Sequence, residues 1–169
     1  MKILETERTN LREIDGTDAK FVLDLLNQPS FIENIGDRNV RTVEQAREYI
    51  ESRFLPGYRQ FGFGMWAVES KETGEVLGIC GFVKRDNLPD ADIGFAFLPQ
   101  FEGKGYAHEA AAATMLYGAE TLKLPRVLAI TIEKNWKSQK LLEKIGLKFE
   151  RMISLSDDDE ELKLFSSDI

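Results

Sequence analysis

The sequence has one cysteine, one histidine and no apolar run long enough to span a membrane. With Cys80 alone, an internal disulfide and a cysteine metal cluster are both excluded. Set between Ile79 and Gly81, Cys80 reads as a small buried strand residue. Basic residues are outnumbered, 22 Lys and Arg against 29 Asp and Glu, for a net charge of −7. That balance argues against a general binder of nucleic acid or of an anionic membrane, and it suits a cationic amine as partner. Met1-Lys2-Ile3-Leu4-Glu5 lacks the apolar core of a signal peptide, so the cytoplasm is the expected compartment. What remains is ordinary: 43% hydrophobic and 30% charged residues in 169 suit one globular domain, 1–169. Monomer and homodimer are both open.

Alternating elements fill the chain without a linker or repeat. Ile3 to Ile14 reads as a first strand. Asp15-Gly16-Thr17 can cap a helix from about Asp18, with Phe21, Val22, Leu25 and Leu26 at helical spacing and Pro29 as its end. Thr42 and Gln45 fit a capping box for a second helix, through Ala46, Tyr49, Ile50 and Phe54 to a stop at Pro56-Gly57. Between them, Phe31, Ile32, Ile35 and Gly36 read as a loop. Strands Gly64 to Ser70 and Val76 to Lys84 flank a Thr-Gly hairpin signal. Arg126 to Glu133 is rich in β-branched residues, as a strand requires. Leu147 to Leu155 and Leu162 to Ser166 are two last strands around the acidic turn Ser156–Glu161.

The centre of the chain is Asp92 to Ala113. Alternation puts Ile93, Phe95 and Phe97 on one strand face, with Asp92, Gly94 and Ala96 on the nearly bare other. Pro99 ends the strand, and Gly103-Lys104-Gly105 leads into an alanine-rich helix. Free N–H groups at a helix start are an anion site, above all for phosphate. A small-residue stripe, Ala107, Ala110, Ala111, Thr114 and Gly118, would let this helix lie close to the sheet with its N-terminus near the bare strand face. The loop is not a P-loop, since Leu98 stands where the first glycine belongs and Gly105 follows Lys104. Nor is it a dinucleotide fingerprint, since His108 holds the third glycine position.

A third pattern fits. Gln100-Phe101-Glu102-Gly103-Lys104-Gly105-Tyr106-Ala107 resembles the Q/R-x-x-G-x-G/A-x-A cofactor motif of the GNAT superfamily, the acetyl-CoA-dependent N-acetyltransferases. Asn135-Trp136-Lys137-Ser138 and Leu141 to Leu147 resemble the family's N-x-x-S-x-x-L-x-x-K-x-G-F/L helix at the family's spacing. Leu4 to Arg12 resembles the opening of the branch that contains the ribosomal-protein N-terminal acetyltransferases. The expected fold is α+β, GNAT-like: a mixed, mostly antiparallel seven-stranded sheet with helices on both faces.

The resemblance implies acetyl-CoA as donor, a primary amine as acceptor and no metal. Pantetheine would lie along Phe97 and Leu98, and the pyrophosphate on the amides of Gly103 to Ala107, so Gln100, Gly103, Lys104, Gly105, Tyr106 and Ala107 are carried over as donor-binding. Backbone N–H groups near Phe95 to Leu98 would face the developing oxyanion. Asn135 would hydrogen-bond the pantetheine arm, and Ser138 would sit near the sulfur as a proton donor. Alternatively, Asn135 and Ser138 only cap and brace their helix. Many relatives use a tyrosine for that proton, but none stands at the corresponding place, and the indole of Trp136 does not shuttle protons at neutral pH. Asp92 is the candidate base, against the alternative of a strand-end residue facing solvent. Phe31 to Gly36 either walls the acceptor site or simply packs. His108 reads as a surface residue, one turn into the phosphate-binding helix and badly placed for a triad. The rival function is a protein that binds acetyl-CoA without turning it over.

Overall fold

A computed structural model describes residues 1–156 and 160–168. The first strand is in fact two, β1 (Lys2–Glu5) and β2 (Thr9–Glu13), paired antiparallel. Their turn contains no glycine or proline. It closes because Thr6 N–H donates to the Thr9 carbonyl at 2.8 Å while the two threonine hydroxyls bond each other. This split makes eight strands among the described residues instead of seven.

Asp15 accepts from Thr17 N–H (2.8 Å) and opens a 3₁₀ turn that runs into α1 (Ala19–Leu26). Arg12 donates twice to buried Asp18 (2.9 and 2.8 Å) and once to Glu69 (2.9 Å), tying β2 to that turn and to the neighbouring strand. Pro29 does not end a helix but begins one, α2 (Pro29–Asn34), because its missing N–H is unneeded in a first turn. The segment expected as a loop is therefore largely helical. Thr42 caps α3 (Val43–Tyr49) by accepting from Gln45 N–H at 3.1 Å, while Gln45 Oε1 reaches Arg41 N–H rather than the cap residue. Pro56 does not stop this helix either. The chain widens through a π turn, Ile50–Phe54, where Leu55 N–H donates to the Ile50 carbonyl, and continues as α4 (Leu55–Phe61) with Pro56 in its first turn.

Strands β3 (Met65–Ser70), β4 (Val76–Val83) and β5 (Asp92–Phe97) follow as an antiparallel meander. Helix α5 (Tyr106–Glu120) crosses over to β6 (Arg126–Thr131), and α6 (Trp136–Lys144) leads to β7 (Lys148–Ile153) and β8 (Leu162–Asp168). The sheet order is β1-β2-β3-β4-β5-β6-β8-β7, and β5/β6 is its one parallel pair among the described residues. Asp157, Asp158 and Asp159 of the expected acidic tip lie outside those residues.

Helices cover both faces, as expected. On one, α1, α3 and the π turn bury Val22, Leu25, Leu26, Ala46 and Ile50 over Ala67 and Ile79. On the other, α5 and α6 bury Ala110, Ala111 and Leu142 over Trp66, Phe82, Val127 and Phe165. Each fully buried side chain such as Phe82 contributes roughly 1.5–3 kcal/mol. The small stripe of α5 works as the sequence implies: a Cβ on Gly118 would lie 2.8 Å from Phe82 Cζ, so only glycine allows this approach. The strand face it meets differs from the expectation. α5 packs over the Ile93 and Phe97 side of β5, while Gly94 faces Met65 and Ala96 joins the α1–α3 core. Bulky strand residues and a bare helix stripe are complementary, whereas two bare surfaces would leave a void.

Candidate active site

β5 and β6 pair at a single position, Asp92↔Leu128, with Leu128 N–H donating to the Ala91 carbonyl at 2.9 Å. Beyond that rung the two strands diverge. The bond from Leu98 N–H to the Leu77 carbonyl (3.0 Å) fixes the phase of the β4/β5 ladder. By alternation Gly94 and Ala96 bond toward β4, and the N–H and C=O groups of Phe95 and Phe97 point into the gap.

The gap widens into a cleft of about 410 Å³ walled by β5, the glycine loop, α2 and the N-terminal parts of α5 and α6. Gly103 (φ +75°) and Gly105 (φ +84°) hold left-handed conformations that a side chain would strain. Gly105 is the N-cap of α5 and brings no side chain to satisfy the helix start. The amide N–H groups from Gly103 to His108 consequently donate to no acceptor among the described residues, and five of those six residues line the cleft. With the positive end of a 15-residue helix behind them, they form an anion cradle.

On the opposite wall Asn135 caps α6, its Oδ1 accepting from Ser138 N–H at 3.3 Å. Both residues also line the cleft. Capping and facing a ligand are thus compatible: the cap uses the Asn135 oxygen and leaves its NH₂ group free. The Ser138 hydroxyl, half-buried, has no partner within the described chain.

Of the donor-binding expectations, Phe97, Gly103, Gly105, Tyr106, Ala107, Asn135 and Ser138 meet at this cleft. Leu98, Gln100 and Lys104 do not line it. Leu98 is buried in the α1–α3 core, Gln100 is exposed on the turn Pro99–Phe101, and Lys104 turns its carbonyl to Arg8. Ser30, Phe31, Asn34 and Ile35 supply the α2 wall, which settles the Phe31 segment as cleft lining as well as packing. His108 is exposed and stands at the cleft mouth. Phe95 and Ala96 of β5 line it too, and Phe101, Glu102, Lys137 and Leu141 complete the lining; of these last four only Leu141 carried a packing signal, as the apolar residue one turn after Ser138. Among the described residues a second, more open hollow of about 380 Å³ lies near Gly146 and Phe149, where the amides of Gly146 and Leu147 already donate to the Glu143 and Leu142 carbonyls.

Asp92 lies elsewhere. It is 2% exposed, so it does not face solvent, and its Oδ1 accepts from Arg85 Nε at 3.1 Å. At about 3.3 Å per residue it stands some 13 Å along the strand from Ala96, and it does not line the cleft. Burial pushes its carboxyl up to about 6, against the pull of Arg85. The folded pKa exceeds the ordinary 3.8, so the folded state holds this proton more tightly than the unfolded chain. The stabilisation is full below about pH 4 and is lost as pH rises through about 6. In parallel urea melts, wild type is expected to lose about 2 kcal/mol relative to Asp92→Asn between pH 4 and pH 7. A difference that stays flat with pH would mean that Arg85 fully offsets the burial.

No helix among the described residues is long and apolar enough to cross a membrane, and no group of three His, Cys, Asp or Glu is placed to hold a metal. A parallel strand pair that separates after one rung thus stands beside a glycine turn that heads a helix, within an α+β fold. The acetyltransferase (GNAT) domain profile matches residues 8–148. The uncharacterized N-acetyltransferase YoaA of Bacillus subtilis (strain 168) is 30% identical over 152 residues, 89% of this chain and 85% of its own. The acetyltransferase from Agrobacterium tumefaciens C58 has a similar structure at TM-score 0.83 and 26% identity, over 98% of this chain and 94% of that one. RimL, a ribosomal L7/L12 alpha-N-protein acetyltransferase in complex with coenzyme A, shares the fold at TM-score 0.85 and 18% identity, over 100% and 98% of the two chains. The chain belongs to the GNAT family of N-acetyltransferases.

Proposed function

We propose that the cleft transfers an acetyl group from acetyl-CoA to an α-amine, on a peptide N-terminus or a small molecule. One observation carries the choice of amine. Among the described residues Glu102 is the only carboxylate that lines the cleft, and it belongs to the loop at the anion cradle. Among the described residues the acyl end, between Phe95 and Ser138, therefore offers no carboxylate to strip a lysine ammonium. An amine that is already partly neutral at physiological pH needs no such base. The coenzyme A complex of RimL supports the donor half of this reading.

The chain's residues divide the work. Free amides from Gly103 to His108 hold the phosphates, and the Asn135 NH₂ group bonds the donor's arm. The N–H groups of Phe95 and Phe97 lie where a thioester carbonyl gathers negative charge, and each such donor is worth roughly 10²–10³ in rate. The amine lone pair attacks the carbonyl carbon, the C–S bond breaks, and the amine's surplus proton leaves to water. Ser138 Oγ–H hydrogen-bonds the departing sulfur. Asp92, facing Arg85 and remote from the cleft, has no part in these steps.

Release of free thiol on mixing acetyl-CoA with a panel of amines and free-N-terminus peptides tests the reading. Amine-dependent release is expected. Donor binding without release for any amine would leave a binding protein in its place.

Ser138→Ala refines the mechanism. A thiol with a pKa of about 8.5 leaves tolerably well unaided, so losing the donor should cost no more than the lower part of the 10²–10⁴ range. The variant is expected to lower kcat with acetyl-CoA affinity nearly unchanged. An unaltered single-turnover rate would reduce Ser138 to a member of the α6 cap.

A further inference from the structure

We propose that Arg8, in the turn between β1 and β2, is a positioning residue that sets the shape in which the glycine loop presents its amides to the donor's phosphates. The inference rests on the acetyl-CoA reading of the cleft and adds to it a residue from a distant edge of the sheet.

One guanidinium touches three parts of the loop. Its Nη1 donates to the Lys104 carbonyl at 2.9 Å, and its carbon lies 4.2 Å above the Tyr106 ring centre. Its Nη2 lies against Gly105, where a Cβ would come within 3.3 Å. The fourth contact anchors it: Nε donates to Glu109 Oε1 at 2.8 Å, in the first turn of α5. Glu109 in turn accepts from Arg8 N–H (3.0 Å) and from the Thr6 hydroxyl, so its carboxylate is held by the turn's backbone and side chains together. Burial acts to raise the Glu109 pKa, but the bonds from Thr6 and Arg8 outweigh it and leave a carboxyl below its ordinary value. The anchor is charged whenever the protein works near neutrality.

The peptide plane converts this clasp into a function. In a trans peptide the C=O of Lys104 and the N–H of Gly105 point in opposite directions. Arg8 fixes that carbonyl outward, so the Gly105 N–H is turned the other way, on the side where Gly105 lines the cleft. This plane would otherwise flip more readily, since the φ of Gly105 is one that glycine tolerates in either sign. Lysine cannot replace the clasp. A point ammonium carries the charge but not the planar fork that reaches Glu109, the Lys104 carbonyl and the Tyr106 face together.

The test compares two donors in steady-state kinetics: acetyl-CoA, and S-acetylpantetheine, which has the thioester and the arm but no phosphate. Arg8→Lys and Arg8→Gln are each expected to raise the acetyl-CoA KM roughly tenfold, the loss of a charge-assisted bond. kcat at saturation should hold to within about twofold, the chemistry lying elsewhere. kcat/KM for S-acetylpantetheine should not move, which also shows that the variants fold. Glu109→Gln should act in the same direction, more weakly. Full rescue by Arg8→Lys would overturn the proposal in favour of bare charge. An equal loss with both donors would overturn it in favour of general destabilisation, and no change with either would overturn it outright. Wild-type protein that uses both donors equally well would remove the phosphate reading of the loop itself, and this inference with it.

Discussion

Gly105→Glu is expected to abolish the thermal stabilisation that acetyl-CoA gives the wild-type protein. At about 100 times its Kd, a ligand that binds only the folded state adds roughly 2.7 kcal/mol. For a domain of this size that raises Tm by about 5–10 °C. The variant removes the shift in two ways. A side chain at φ +84° strains the N-cap of α5, and a carboxylate placed among the free amides occupies the cradle and repels phosphate. Part of the loss will appear without ligand, because the left-handed backbone costs about 1–2 kcal/mol with any residue but glycine. The informative quantity is therefore the shift on adding ligand, measured against each protein's own ligand-free melt. An equal shift in wild type and variant would place the donor somewhere other than this loop.

The residues of that loop were readable because their requirements are local. Gly103 and Gly105 need positive φ, the alanine run after them needs a helix, and Asn135 with Ser138 heads an apolar stripe at helical spacing. Short windows hold all of that information. What was misread depends on contacts between distant parts of the chain. The break between β1 and β2 has no turn residues of the usual kind, and it is braced by Glu109, about a hundred positions away. Pro29 and Pro56 are compatible with a helix end and with a helix start, and only the packing of α2 and the π turn decides between them. Alternation separated the two faces of β5 but could not say which layer each would meet, and α5 took the bulky one. Gln100 and Lys104 lie in the motif and Leu98 two residues before it, yet a spacing does not tell a side chain that lines the cleft from one that faces the core or the solvent.

A peptide with a free N-terminus and no lysine is expected to be acetylated on the order of a hundredfold faster than an N-blocked peptide carrying one lysine. An α-amino group has a pKa of about 7.7–8.0 and a lysine ammonium about 10.4, so at pH 7.5 roughly a third of the former is neutral against about one in a thousand of the latter. The gap is about 3.5 kcal/mol, which an enzyme acting on lysine has to overcome with a well-placed base. Among the described residues the lining between Phe95 and Ser138 contains no carboxylate, and the nearest candidate along β5, Asp92, is buried against Arg85. The preference should narrow as pH rises, because the lysine amine gains its neutral form while the α-amine saturates. The reverse ranking at fixed pH, across several peptide sequences, would sink the α-amine proposal. Silence from both peptides alongside turnover of a small α-amine would confine the acceptor to small molecules.

The single rung between β5 and β6 also bears on how the molecule comes together. Strands β1 to β5 follow one another across the sheet, each closing against its predecessor. β6 must wait for α5 to cross over, a non-local closure of the kind that slows folding. Two cooperative units are thus expected to meet along this line, with amide exchange protection dropping at Phe95 and Phe97 although both lie well inside the sheet. Under the proposed function, a bound donor that touches both lips would act as the missing stitches of that seam. The protein would then resist unfolding most strongly, once loaded, at the place where its own backbone joins it least.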